Sequence, residues 1–161
     1  MGGRGPPVPR NGLVTLLKKS LLLVEDDPND VALFRRAARK ADLSEEILIA
    51  EDGEAAVRFL EGCAEKTGEQ GNALPWIVLL DLKMPRKSGL EVLQWLRRQP
   101  RLRRLPVIVF TSSRERSDIA RAYELGANSY LVKPVSFDQL KEMVQALDHY
   151  WLDLNESPQG Y

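Results

Sequence analysis

Four short apolar runs in this chain each end on a reactive polar residue. Leu21-Leu22-Leu23-Val24 leads into Glu25-Asp26-Asp27, Trp76-Ile77-Val78-Leu79-Leu80 into Asp81, Val107-Ile108-Val109-Phe110 into Thr111, and Tyr130-Leu131-Val132 into Lys133-Pro134. Uniformly apolar runs of this length suit parallel strands buried on both faces. Open α/β sheets place their ligands outside the carboxyl ends of the strands, so these polar residues are expected to meet at one sheet edge. Acids, a hydroxyl and a lysine gathered there outline a phosphoryl-transfer site.

The segments between the runs carry helix signals. Asp27-Pro28 pairs an N-cap with a proline at the first helical position, and Asp30 falls in the first turn, where acids are favoured. Phe34, Ala37, Ala38 and Ala41 then recur at helical spacing. Ile47 to Ala50 reads as a further strand and Glu54 to Gly62 as a second helix, while Cys63 to Pro75 lacks periodicity and reads as a loop. Ser88-x-x-Glu91 has capping-box spacing ahead of Leu90, Leu93 and Leu96, and Gln99-Pro100 ends that helix. Ser113 to Leu125 suits a fourth helix stopped by Gly126. Ser136-x-x-Gln139 starts a fifth, with Leu140, Met143, Val144 and Leu147 on one face. Strands alternating with helices imply right-handed crossovers and a parallel sheet covered on both faces.

A chain of 161 residues, 43% hydrophobic, has room for one domain and flanking tails. We divide it into an N-terminal tail (1–17), a domain (18–150) and a C-terminal tail (151–161). Lys plus Arg and Asp plus Glu both number 23, so no global charge draws the protein to nucleic acid or a membrane surface. The cluster of Arg97, Arg98, Arg101, Arg103 and Arg104 reads as a solvated face or a contact for an acidic partner. No apolar stretch approaches the roughly 20 residues that span a bilayer. Cys63 is the only cysteine, which fits a reducing, cytoplasmic setting.

Glu25, Asp26 and Asp81 at neighbouring strand ends would repel one another unless a cation neutralised them. Oxygen-only ligands with open water positions suit Mg²⁺. Asp81 is the candidate nucleophile, since a carboxylate can attack a phosphoryl group and form an acyl phosphate. Lys133 can neutralise a phosphoryl oxygen and the Thr111 hydroxyl can hydrogen-bond another. Taken singly, Lys133 reads as a solvated lysine and Thr111 as a β-branched strand residue. Their shared position on successive strands favours the site.

Taken together, these residues resemble the receiver domain of two-component response regulators. Glu25-Asp26, Asp81, Thr111 and Lys133-Pro134 follow the family's order, and Asp81, Thr111 and Lys133 lie 30 and 22 positions apart. Asp81-Leu82-Lys83-Met84-Pro85 with Ser88-Gly89-Leu90 is similar to the family's D-x-x-M-P-x-x-x-G motif. The resemblance covers residues 20 to 150. It implies a flavodoxin-like, doubly wound sheet of five parallel strands in the order 2-1-3-4-5. It further implies that Asp81 accepts phosphate, that Asp26, Asp81 and the Lys83 carbonyl bind Mg²⁺ directly, and that Glu25 acts through water. Tyr130 matches the family's rotating aromatic, coupled to Thr111, and the peptide bond before Pro134 would be cis. Lys83 departs from the asparagine often found at that position.

The chain stops soon after the fifth helix, which reads as a stand-alone receiver without an output domain. Glu25-Asp26-x-x-x-Asp30, Leu105-Pro106-Val107 and the aromatic ending His149-Tyr150-Trp151-Leu152 are similar to the small regulators paired with bacterial phytochromes. The resemblance implies a sensor histidine kinase as phosphoryl donor, a downstream protein target, and no enzymatic turnover of external substrates. Trp151 and Leu152 are expected to form an exposed apolar patch, and a homodimer through the last helix and tail would cover it. Three other readings compete. A flavodoxin needs a donor-rich phosphate loop where Glu25-Asp26-Asp27 stands, and a haloacid-dehalogenase-type phosphatase needs a second acid where Lys83 stands. A receiver fold that docks partners without switching is separable only by a phosphorylation assay.

Overall fold

The computed structural model describes residues 19–65 and 73–158, so the predicted 1–17 tail and the end of the C-terminal tail lie outside the described residues. Its elements alternate: β1 (Ser20–Val24), α1 (Pro28–Lys40), β2 (Glu46–Ala50), α2 (Gly53–Glu65), β3 (Ile77–Leu80), α3 (Gly89–Arg98), β4 (Val107–Thr111), α4 (Arg116–Glu124), β5 (Ser129–Val132) and α5 (Phe137–Leu147). The strands are parallel and ordered β2-β1-β3-β4-β5, the topology expected from the sequence.

Strand alternation divides the core between two faces. Leu21, Leu23, Ile77, Leu79, Ile108 and Phe110 pack against Phe34, Ala37 and Ala38 of α1 and Leu140, Val144 and Leu147 of α5. Their neighbours Leu22, Val24, Val78, Leu80 and Val107 meet Ala56 and Leu60 of α2 and Val92, Leu93 and Leu96 of α3. Val109 meets Ala122 of α4 on that second face. β1 and β3 are wholly buried, so each run is apolar on both sides rather than alternating.

Helix starts follow the predicted chemistry. The Asp27 side chain accepts from Asn29 N–H, and Ser88 and Glu91 form both halves of a capping box. Ser136 accepts from Gln139 N–H. Gly126 adopts φ +99°, a left-handed conformation that glycine takes without steric cost, directly after α4.

Four expectations are corrected. α2 runs to Glu65 and carries Cys63 as a buried residue, because Ala56, Leu60 and Cys63 continue one helical stripe, so Cys63 to Glu65 are helix rather than loop; residues 66–72 lie outside the description. α4 begins at Arg116 rather than Ser113, since Ser113 is held in the preceding loop by its bonds to Asp118 and Glu115. Arg97 is not on a solvated face: its guanidinium donates to the carbonyls of Gly126 and Leu105 and to Asn128 Oδ1, binding α3 to the loops that lead into β4 and β5. Finally, α5 does not give way to a tail. It continues as a π-helical segment, Asp148–Leu154, in which Asn155 N–H donates to the Tyr150 carbonyl. The wider turn brings Leu152 inward until it is 0% exposed within the α1/α5 core, with Trp151 packed beside it, so these two residues do not form an exposed patch. Tyr150 and Leu154 are the exposed apolar residues of that segment.

Candidate functional site

Ladder hydrogen bonds continue past the strands and fix the backbone of each residue that ends an apolar run. Glu25 N–H donates to the Ala50 carbonyl at 3.0 Å, Asp81 N–H to Val24 at 3.1 Å and Lys133 N–H to Thr111 at 2.8 Å. On the far side of Asp81, Gly89 leaves no room for a side chain: a Cβ there would lie 2.0 Å from the Asp81 carbonyl oxygen. Side chains remote in sequence therefore converge on one rigid edge.

Lys133 sits at the centre. Its Nζ donates to Glu25 Oε2 at 2.5 Å, Asp30 Oδ2 at 2.8 Å and Asp81 Oδ2 at 3.1 Å. Phe110 lies beneath the ammonium, 5.8 Å from ring centroid to nitrogen. Burial pulls the lysine pKa down, but hydrogen bonds to Asp30 and Glu25 and the nearby Asp81 charge outweigh it, so the ammonium is held above its ordinary value. Glu25 is 3% exposed, and burial pushes its carboxyl up to about 7 against the opposing pull of Lys133.

Carboxylate oxygens of Glu25, Asp26 and Asp81 all lie within 4.8 Å of one another, and Lys133 is the cation bonded to two of them. One positive charge among these acids leaves the cluster net negative, and its donors are all hard oxygens. That donor set fits Mg²⁺. Asp26 is exposed, so an ion held there keeps water on its open side, as Mg²⁺ requires. Lys83 is exposed, and its backbone N–H approaches Asp81 Oδ1 at 3.4 Å.

Thr111 is 1% exposed at the end of β4, and its Oγ1 accepts from Ser113 N–H at 3.4 Å. Ser113 in turn donates from Oγ to Asp118 Oδ2 at 2.5 Å, and its carbonyl accepts from the Tyr130 hydroxyl at 3.0 Å. Tyr130 packs against the Leu82, Val109 and Ala122 cluster, and burial raises its phenol pKa. Thr111 and Tyr130 are thus joined through one loop residue, Ser113. The predicted cis bond before Pro134 is absent: no cis peptide occurs among the described residues. Trans is the lower-energy form of an X-Pro bond by about 0.5–1 kcal/mol.

A family model described as the response regulator receiver domain matches residues 21–145. The chain belongs to the response regulator receiver family. This receiver is 42% identical over 138 residues to "Probable methanogenesis regulatory protein FilR2" of Methanothrix harundinacea, covering 86% of each chain. It is 38% identical over 136 residues to response regulator Rcp1 of Synechocystis, covering 84% of this chain and 90% of that one. The Mn²⁺-bound crystal structure of Rcp1 superposes with a TM-score of 0.74 over 87% of the receiver and 99% of Rcp1. Phosphorylated RcpA, a cyanobacterial phytochrome response regulator, is 33% identical with a TM-score of 0.75, over 87% of the receiver and 98% of RcpA. The receiver is therefore related to phytochrome response regulators.

Sequence reasoning passed over two contacts. Asp30 was legible as a first-turn acid of α1 and as part of the Glu25-Asp26-x-x-x-Asp30 pattern, but not as a partner of Lys133, which it shares with Glu25 and Asp81. Asp52, buried at the start of α2, pairs with Arg86 of the β3–α3 loop, and no local pattern connects positions so far apart.

Proposed function

We propose that this receiver takes a phosphoryl group onto Asp81 from a sensor histidine kinase, of the phytochrome type or a related one, and that the modified site changes its affinity for a downstream protein. The observation carrying this reading is the placement of Lys133 Nζ 3.1 Å from Asp81 Oδ2, beside the Glu25, Asp26 and Asp81 cluster. An Asp81 oxygen attacks phosphorus, the bond from phosphorus to the donor imidazole nitrogen breaks, and that nitrogen keeps the electron pair. Asp26, Asp81 and the Lys83 carbonyl would hold Mg²⁺, with Glu25 acting through water; the bound ion supplies charge neutralisation and alignment of phosphoryl oxygens.

Lys133 then donates to the phosphoryl group, and the Thr111 hydroxyl swings to donate to another of its oxygens. That motion breaks the Ser113 contact with Thr111 Oγ1 and releases the loop that also holds the Tyr130 hydroxyl. The switch runs through that loop. The chemistry stays on the protein itself, so the receiver is a phosphoacceptor rather than an enzyme acting on external substrates. Lys83, standing where a phosphatase would need a second acid, supports that reading. A cytoplasmic setting is the corresponding proposal, since a sensor kinase would donate its phosphoryl group there. Self-association through α5 and the exposed Tyr150 and Leu154 is the corresponding proposal for a homodimer.

Intact-mass measurement after treatment with acetyl phosphate tests the reading. A single phosphoryl addition is expected with Mg²⁺, lost on chelation and in Asp81→Asn. Undiminished labelling of Asp81→Asn would remove Asp81 from its role. Absence of labelling in the wild type would favour a receiver fold that docks partners without switching.

A further inference from the structure

The Lys133 ammonium has three N–H donors, and three carboxylates take them: Glu25, Asp30 and Asp81. A phosphoryl group on Asp81 therefore finds no donor of Lys133 unused. One of the three bonds has to break before Lys133 can serve the phosphoryl oxygens.

The acids differ in how easily they let go. The Glu25 side chain is 2% exposed and also accepts from Asp27 N–H at 3.1 Å, so leaving Lys133 would strand a buried carboxylate. The Asp81 bond is the longest of the three at 3.1 Å, and phosphorylation removes the carboxylate charge that holds it, so that one donor passes to the phosphoryl group while Asp30 still keeps another. The Asp30 side chain is 37% exposed on the first turn of α1, and water can replace the lysine it gives up. The helix N-terminus also favours an acid at that position, whether or not Lys133 is bound.

We infer that Asp30 is a positioning residue that holds Lys133 in the unmodified receiver and competes with the phosphoryl group for it. This rests on the Asp81 reading above and adds a residue to it. Asp30 belongs to the resting state, so it lowers the affinity of the site for a phosphoryl group and favours return to rest. Glu25 and Asp26 support the ion that accompanies phosphorylation; Asp30 opposes the phosphoryl contact.

The test is a titration with beryllium fluoride, a phosphoryl mimic, at saturating Mg²⁺, followed by calorimetry. Asp30→Asn keeps the shape and removes the competing charge, so it is expected to bind the mimic about two- to five-fold more tightly, the size of a partly exposed ion pair. Asp27→Asn is the control. It removes the same unit of charge from the same helix start, preserves an N-cap, and touches no donor of Lys133. Its affinity is expected to match wild type. Equal gains in both variants would assign the effect to general charge and overturn the competition. Unchanged or weaker binding in Asp30→Asn would overturn it as well, the weaker result meaning that Asp30 preorganises Lys133 for phosphate. A wild type that fails to bind the mimic removes the Asp81 reading along with this one, whereas binding without an Asp30 effect removes this one alone.

Discussion

Arg86 donates through both Nε and Nη2 to Asp52 Oδ2, joining the β3–α3 loop to the start of α2. The other Asp52 oxygen accepts from Ala55 N–H at 2.8 Å, capping the helix. Gly53 completes the contact: a Cβ there would lie 2.2 Å from the Lys87 carbonyl oxygen, so the two loops touch at their backbones. Arg86 itself holds φ +65°, a conformation that costs a non-glycine residue energy and is retained here alongside the ion pair. Through this contact α2 braces the loop that runs from Asp81 to α3.

The Asp52 bonds to Ala55 N–H and Arg86 hold its carboxyl below the ordinary aspartate value. A carboxylate with a depressed folded pKa stabilises the protein above its unfolded pKa, near 4, and that contribution is lost as pH falls through the lower folded value. Asp52→Asn and Arg86→Ala are therefore expected to unfold at lower denaturant than wild type at pH 7. The gap should narrow at pH 3. A gap that stays constant between the two pH values would rule out the ion pair as its source.

Lys133→Ala should lower stability in Mg²⁺-free buffer, because it leaves Glu25 buried with no ammonium beside it. A buried polar group without its partner costs about 1–3 kcal/mol. Mg²⁺ is expected to recover part of that loss by supplying the missing charge, so the variant's melting temperature should rise more with Mg²⁺ than wild type's. Equal shifts in the two proteins would mean that Lys133 does not act as the counter-ion of the acids.

The sequence showed Glu25 and Asp26, Asp81, Thr111 and Lys133 because they directly follow apolar runs, and strand ends in a parallel sheet share an edge whatever the loops do. The same logic could not reach Asp30 or the Asp52 pair with Arg86. Their partners are set by how α1 and the β3–α3 loop pack, which no local spacing encodes. Leu152 was misplaced for a related reason. Treated as the start of a tail it had nothing to cover it, but one π-helical segment turned it onto the α1/α5 core. Arg97 looked like one member of a charged cluster, while its carbonyl partners lie on loops brought near only by the fold.

Tyr130→Phe removes the hydroxyl bond to the Ser113 carbonyl and leaves the ring packing against Leu82, Val109 and Ala122 intact. The loss should be about 0.5–1.5 kcal/mol, the usual net worth of one hydrogen bond. Amide exchange at Ser113 to Glu115 should accelerate while acetyl phosphate labelling of Asp81 proceeds as in wild type. Unchanged exchange would show that Tyr130 does not restrain the β4–α4 loop.

The segment after α5 separates a structural residue from candidate interface residues within a few positions. Leu152→Ala empties a fully buried site and is expected to cost about 2–5 kcal/mol, whatever the oligomeric state. Tyr150 and Leu154 are 54% and 61% exposed, and removing either should change the fold little. If a second copy covers them, reciprocal burial makes the dimer depend on both, and a Tyr150→Ala, Leu154→Ala double variant should sediment as a monomer where wild type sediments as a dimer. A monomer in both cases would exclude the homodimer at the concentration tested. A dimer in both would move the interface to another surface, because neither residue could then lie within it.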